Sequence, residues 1–209
     1  MKSTRRRSAT LCSGAWLCPA QIPMYMEGGE RLNWVTERKA WATELFKRGW
    51  YARAMRHYKK AMLDLEVPIE WYLESQVVER NQLRTSLHLN VAACGVKLPF
   101  ARPYPNLQTP KMHTHPQRDA IRHCTRVLKV DPKNVKAYYR RAMASLTMPE
   151  DQNINGLADA IADLKIALEF DPENVEVRRE MKRAKERQRV TDKKASGMYT
   201  KMIGTGIEV

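Results

Sequence analysis

A helical motif of small residues that recurs along the chain constrains the fold more than any other feature. In three segments, small or medium apolar residues are spaced at i, i+4 and i+7, which places each set on one face of a helix. Small side chains on such a face let a second helix approach closely. A buried-type alanine in another amphipathic segment (Ala42, Ala92 or Ala142) precedes each set. The three sets are Ala54-Tyr58-Ala61, Ala120-Cys124-Val127 and Ala160-Leu164-Ala167.

The spacing of these motifs predicts the period of the repeat. Asp131-Pro132 and Asp171-Pro172 follow the second and third sets at the same offset and lie 40 residues apart. The third unit is 6 residues longer than the first between its two helices, so the underlying period is 34 residues. Asp favours the N-cap and Pro the first helical position, so each pair is expected to open the next helix. A 34-residue period predicts an all-α tetratricopeptide superhelix of three repeats, each an antiparallel helix pair, with a concave face.

Composition excludes several classes of protein. The 209 residues contain no run of eighteen apolar residues, which excludes a transmembrane helix. They also contain no Gly-rich phosphate loop, no GxSxG and no HExxH, so neither an enzyme nor a cofactor is predicted. Without a CxxC pair, a zinc knuckle and a disulfide framework are both disfavoured, and a reducing, cytoplasmic compartment is expected. The four cysteines are Cys12, Cys18, Cys94 and Cys124, of which the last two occupy small apolar core positions and are expected to be inert.

The chain is predicted to divide into three parts. Residues 1–30 form a leader that carries no acid before Glu27 and is expected to be disordered, with a targeting segment as the alternative. Residues 31–171 form the repeat domain, and residues 172–209 form a basic C-terminal helix and tail. Within the second repeat, the proline-rich insertion 99–116 replaces a short turn and cannot be helical. His113 and His115 in this insertion lack a third ligand, so no metal site is predicted.

Four segments of the chain resemble the tetratricopeptide domain of FKBP-type immunophilins and related co-chaperones, and the likeness runs from about residue 33 to residue 199. The roughly thirty residues before the repeats are too few for the isomerase domain of such immunophilins. We therefore expect a non-catalytic adaptor, with a C-terminal fragment of an isomerase as the alternative. The segments are ATELFKRGWYARAMRHYKKAM, LHLNVAACGVKL, AIRHCTRVLKVDPKNVKAYYRRAMA and ADLKIALEFDPENVEVRREMKRAKERQ.

Polar side chains on the expected inner helices predict a groove for carboxylates. Lys39 and Thr43 lie four residues apart and share one face of the first inner helix, as Lys136 and Arg140 do on the third. Asn90 precedes Ala92 by two residues, as Arg140 precedes Ala142, so the two hold equivalent positions. Ammonium, guanidinium and amide donors around one groove suit carboxylates, because charge-assisted hydrogen bonds are short and strong. The inner helices are predicted at Leu32–Lys47, Ser75–Lys97 and Pro132–Leu146.

The resemblance implies a specific ligand for this groove. Clamp-type co-chaperones hold the free C-terminal Asp of the Glu-Glu-Val-Asp tail of cytosolic heat-shock chaperones of the 90- and 70-kilodalton classes. By resemblance, Lys39, Asn90, Lys136 and Arg140 match four of the five clamp positions, and Thr43 stands where the family has Asn. This replacement is expected to weaken binding by about 0.5–1.5 kcal/mol, the net worth of one hydrogen bond. The aromatic residues Trp41, Tyr58, Tyr138 and Tyr139 are assigned to the core.

The C-terminal segment predicts a basic helix from Pro172 to about Met202. Between positions 176 and 194 the segment contains nine basic and four acidic residues, and only a few apolar residues line one face of the helix. A polar helix of this kind caps the end of a solenoid. Two alternatives remain open for the basic surface, a calmodulin target and a scaffold for RNA. Without interleaved aromatic and basic residues, charge alone supports only non-specific attraction to phosphate, so no specific nucleic acid is expected.

Overall fold

The fold is all-α, as the sequence predicts. The computed structural model describes residues 26–99, 115–149, 151 and 153–204, with side chains up to residue 198. The predictions for residues 1–25 of the leader, for most of the proline-rich insertion and for His113 concern residues outside these ranges, whereas residues 28–30, which the sequence assigns to the leader, belong to the first helix. No strand occurs within the described ranges. The helices are α1 (Gly28–Lys47), α2 (Tyr51–Leu65), a 3-10 turn (Ile69–Trp71), α3 (Glu74–Lys97), α4 (Pro116–Val130), α5 (Val135–Thr147), α6 (Gly156–Phe170) and α7 (Val175–Gly204).

The helices form three hairpins that stack in chain order. Each hairpin pairs an inner helix (α1, α3 or α5) with the helix that follows it, and α3 packs against both of the other inner helices. The helix α7 packs on α6 at the end of the stack. This arrangement is the predicted three-repeat superhelix with a capping helix. No helix within the described ranges is long and apolar enough to cross a membrane.

The core between the helices consists of the residues that the repeated motif selects. Ala42, Ala92 and Ala142 of the inner helices are fully buried, as are the small residues of the three sets on the partner helices, and Tyr58 is 2% exposed. Two glycines meet different local needs, one a turn and the other a close helix contact. Gly49 adopts a φ of +80° in the turn between α1 and α2, which favours glycine. At Gly95, a Cβ atom would lie 2.4 Å from the carbonyl oxygen of Pro116, so glycine is needed where α3 meets the start of α4.

The predicted starts of two helices are wrong by three residues. Asp131 ends α4 and Pro132 lies in the following turn, so α5 begins only at Val135. The side chain of Asn134 is the actual N-cap: its oxygen accepts a hydrogen bond from the backbone N–H of Ala137 at 3.0 Å. Its Nδ2 donates to Asp131 at 2.9 Å, and Asn174 makes the same bond to Asp171 before α7. The Asp-Pro pair therefore forms the turn before the helix, and the asparagine at the end of that turn caps the helix. In addition, α1 begins four residues earlier than predicted, and Pro116 starts α4 rather than ending the insertion.

Ion pairs with buried carboxylates join helices of the same repeat and of neighbouring repeats. Asp119 on α4 accepts hydrogen bonds from Lys59 on α2 and from Arg122, which links the first repeat to the second. Burial alone would raise the pKa of Asp119, but these two cations outweigh burial and hold the pKa below its ordinary value. In the third repeat, Arg141 on α5 makes two hydrogen bonds to Asp163 on α6, at 2.8 and 2.6 Å.

The first half of α7 is a structural cap. Val177, Met181 and Ala184 are buried against the third repeat, in the predicted stripe. The residues that follow this stretch are exposed through residue 198. Of the apolar residues that suggested a calmodulin site, Val177, Met181 and Ala184 are used for packing, whereas Val190 and Met198 are exposed. No finding supports the calmodulin alternative.

Candidate functional site

The five predicted groove residues lie on the three inner helices. Lys39 and Thr43 are on α1, Asn90 is on α3, and Lys136 and Arg140 are on α5. Because α3 packs against both α1 and α5, these helices line one side of the superhelix. Lys136 is exposed and the other four residues are partly buried. The surface therefore combines accessible side chains with a partly desolvated floor.

Arg140 is the most constrained cation of the groove. Its Nη1 donates to the carbonyl oxygen of Leu89 at 2.7 Å, next to Asn90 in the chain, and this bond fixes α5 against α3. Burial lowers the pKa of the guanidinium, whose electrostatic neighbours are the neutral groups of Tyr58, Cys94 and Cys124. Arg140 forms no ion pair with any carboxylate in the described part of the chain. It is a partly buried cation whose charge the surrounding protein leaves uncompensated.

The two lysines differ in their solvation. Burial lowers the pKa of Lys39, whereas Lys136 lies exposed on α5 one turn before Arg140. Neither lysine forms an ion pair with a described carboxylate. Both ammonium groups are thus available to an anionic ligand.

The hydroxyl of Thr43 is already engaged within the protein. Its Oγ1 donates to the carbonyl oxygen of Lys39 at 2.8 Å and lies 2.9 Å from the hydroxyl oxygen of Tyr58. A threonine hydroxyl has a single hydrogen, so with that hydrogen on Lys39 the Tyr58 hydroxyl must be the donor of the second bond. Thr43 then has no hydrogen left to donate to a carboxylate.

Tyr58 is the residue of this site that the sequence reasoning assigned only to the core. Its ring is buried, but its hydroxyl contacts Thr43, and Arg140 is close enough to affect its pKa, which burial raises. A signal was present in the sequence: a tyrosine among small core residues normally has a partner for its hydroxyl. Tyr58 thus ties α2 to α1 through Thr43, within electrostatic reach of Arg140 on α5.

The cysteines beside Arg140 fit their assignment as inert core residues. Cys94 and Cys124 are fully buried free thiols. Burial raises the pKa of each thiol to about 12, so both are protonated at neutral pH.

Curated relatives are similar to this domain in sequence. A human FK506-binding protein-like protein is 33% identical over 150 residues, which cover 71% of this chain and 34% of the relative. The peptidyl-prolyl cis-trans isomerase FKBP4 of Bos taurus is 27% identical over 178 residues, which cover 85% of this chain and 34% of the relative. The chain thus spans about a third of the length of the curated relatives it matches. No protein-family model matches the chain.

Solved structures share the fold. The C-terminal TPR-containing domain of a Plasmodium falciparum FK506-binding protein has a TM-score of 0.62 at 22% identity, covering 81% of this chain and 97% of that domain. The first TPR of Spaghetti (RPAP3), bound to the HSP90 peptide SRMEEVD, has a TM-score of 0.51 at 19% identity, covering 78% of this chain and 98% of that chain. The tetratricopeptide fold and the resemblance to FKBP-type co-chaperones are confirmed.

Proposed function

We propose that this chain is a non-catalytic adaptor whose groove binds the acidic C-terminal tail of heat-shock chaperones. The tail is the Glu-Glu-Val-Asp end of the 90- and 70-kilodalton classes, and its free terminal carboxylate is the group recognised. On this proposal the protein acts in the cytoplasm, where these chaperones are found.

The partly buried guanidinium of Arg140 is the main support for this proposal. A partly buried guanidinium without a described carboxylate partner is costly unless a ligand compensates its charge. The bond to Leu89 holds one end of the planar fork in place, so the remaining donors have a fixed direction. A carboxylate from outside the chain is the group that fits such donors best.

Each of the other groove residues has a role in this proposal. Lys39 on α1 and Lys136 on α5 each supply a positive charge for the ligand. Burial lowers the pKa of Lys39, so this ammonium group is the less solvated of the two and gains more from pairing with a carboxylate. Asn90 donates through its amide and accepts through its oxygen. Thr43 fills the fifth position without a free donor, so it shapes the groove rather than binding the carboxylate.

The comparisons support the same ligand class. A solved neighbour with this fold holds an HSP90 peptide that ends in Glu-Val-Asp. Relatives named as isomerases are about three times as long as the matched segment, so the proposal concerns the repeat domain alone. For that domain we propose docking without catalysis.

The test is a calorimetric titration of the full chain with a short peptide that ends in Met-Glu-Glu-Val-Asp. The matched control is the same peptide with an amidated C-terminus, which keeps the two glutamates and removes the terminal charge. We expect micromolar binding of the free acid, about −8 kcal/mol, and its loss on amidation. Equal binding of both peptides would reduce the interaction to diffuse charge attraction and would contradict the proposal. No binding of either peptide by the folded chain would also overturn it.

A further inference from the structure

A second basic site lies between α3 and α4, away from the groove. A cavity of about 520 Å³ is lined by Arg84 and His88 on α3, by Arg126 and Lys129 on α4, and by Glu66 after α2. On a helix, two positions along the chain correspond to a rotation of roughly 200°. His88 therefore faces nearly opposite to Asn90, and the cavity opens on the outer side of the second repeat.

The charges of this cavity are not balanced. Arg84, Arg126 and Lys129 form no ion pair with any carboxylate in the described ranges. Glu66 is the single acid in the lining, so three cations against one anion leave a formal surplus of two positive charges. A ligand with two negative charges would neutralise the cavity, and guanidinium forks match tetrahedral oxyanions geometrically.

His88 lines the cavity and is paired with the partly buried His123 behind it. His88 is 7% exposed, and its Nδ1 lies 2.7 Å from the Nδ1 of His123 on α4. Two nitrogens bound to one tetrahedral zinc would lie about 3.3 Å apart, so the shorter separation indicates a hydrogen bond between the rings. One ring carries its hydrogen on Nδ1 and the other accepts it.

Both histidines are neutral at physiological pH because they are buried among cations. Burial, with neighbouring positive charge, lowers the pKa of His88 to about 4 and that of His123 to about 3. An anion in the cavity would offset the positive charge beside His88 and favour its protonation. A single added proton keeps the bond between the rings, because a charged imidazole can donate to a neutral one. The charged groups that face the pair are Arg84, Arg126, Asp119 and Lys59.

We propose that this cavity binds a divalent oxyanion of the phosphate class, held by Arg84, Arg126 and Lys129. The cavity volume is that of a small-molecule site rather than of a peptide groove. The ligand is either free phosphate or the phosphate group of a monoester. Binding is coupled to proton uptake at the histidine pair, and it is independent of the groove.

The first experiment is a calorimetric titration of the full chain with inorganic phosphate at pH 7 and low chloride. The Arg84→Gln/Arg126→Gln variant should bind phosphate at least tenfold more weakly than the unaltered chain. The control Lys182→Gln/Lys185→Gln removes the same charge from exposed positions of α7 and should bind normally. An equal loss in both variants, or no saturable binding by the unaltered chain, overturns the proposal. If the double arginine variant does not fold, Lys129→Gln alone should still weaken binding.

Two further arms locate the anion and identify its source. Arg140→Ala should retain phosphate binding, and a loss there would assign the anion to the groove and contradict the proposal. O-phosphoserine that binds at least as tightly as phosphate would identify monoesters as the ligand, whereas tenfold weaker binding would assign the site to the free ion.

The coupling to the histidines is tested with sulfate, which keeps two charges between pH 5 and 8. Because the bound anion raises the pKa of His88, binding takes up a proton and sulfate affinity should rise as the pH falls from 7 towards 5. His88→Asn should lose this rise, while Glu66→Gln should retain it. An unaltered chain whose sulfate affinity does not change with pH would overturn the coupling.

Discussion

The two ends of the groove differ in how many hydrogen-bond donors remain free for a ligand. At the third repeat, Arg140 uses one donor on the carbonyl of Leu89 and keeps the others. At the first repeat, the hydroxyl of Thr43 is hydrogen-bonded to both the carbonyl of Lys39 and the hydroxyl of Tyr58. Both residues belong to the same predicted clamp, yet only one has donors left for a ligand. Binding strength is therefore expected to be unequal along the groove, with the third repeat contributing most.

The difference follows from the number of hydrogens that each side chain carries. A guanidinium has five N–H donors and can satisfy a backbone carbonyl while binding a ligand. A threonine has one, and a single internal bond exhausts it. Asparagine, with two amide hydrogens, would behave more like arginine in this respect. Four substitutions in and beneath the groove test this contrast.

Arg140→Ala should weaken binding of the free-acid peptide by about 2–5 kcal/mol, the range for removing one partner of a buried charge pair. Calorimetric titration measures the loss. The control Lys165→Ala removes a charge from the exposed face of α6 and should change affinity little. A weakening of less than threefold in Arg140→Ala would show that the groove is not used in this way.

Lys39→Ala should weaken the same peptide by about 1.5–3 kcal/mol, the worth of a hydrogen bond between charged groups. Because burial lowers the pKa of Lys39, its charge is lost at a lower pH than that of an exposed lysine. Peptide affinity should therefore fall as the pH rises above neutrality towards 10. Lys39→Arg keeps its charge, so its affinity should stay flat over this range; an identical fall in both proteins would assign the effect to another group.

Thr43→Asn should tighten binding by about 0.5–1.5 kcal/mol, because the amide restores a free donor at the first repeat. Thr43→Val is the matched control: it removes a hydroxyl that is already engaged, so peptide affinity should not change. Tighter peptide binding by Thr43→Val, or unchanged peptide affinity in Thr43→Asn, would contradict the conclusion that the Thr43 hydroxyl cannot donate to the ligand.

Tyr58→Phe should leave peptide affinity within twofold, since Thr43 still donates to Lys39 without the tyrosine hydroxyl. The free energy of unfolding should fall by about 1 kcal/mol because one internal hydrogen bond is lost. Denaturant titration measures the stability and calorimetry the affinity. A large loss of affinity would mean that the Tyr58 hydroxyl itself contacts the ligand.

The repeat architecture was predictable because it depends on local spacing. Alanines three to four residues apart fix which face of a helix is buried, and the 34-residue period then fixes the order in which the helices stack. The same logic placed Lys39, Asn90 and Arg140 on the inner helices. The start of α5 was predicted three residues too early because Asp131 accepts hydrogen bonds within the preceding turn, and Asn134 is the residue whose side chain reaches an open N–H of the helix.

The helices, their pairing and the faces that carry the basic residues follow from the amino-acid sequence, because each depends on the period of a helix. Which polar groups meet depends instead on the packing of the helices. The hydroxyl of Tyr58 reaches Thr43 across 15 residues, Arg140 reaches Leu89 across 51, and His88 reaches His123 across 35. Such contacts depend on how closely and at what angle helices cross, which the packing of many side chains fixes together. They decide whether a donor that the sequence provides is free to bind a ligand.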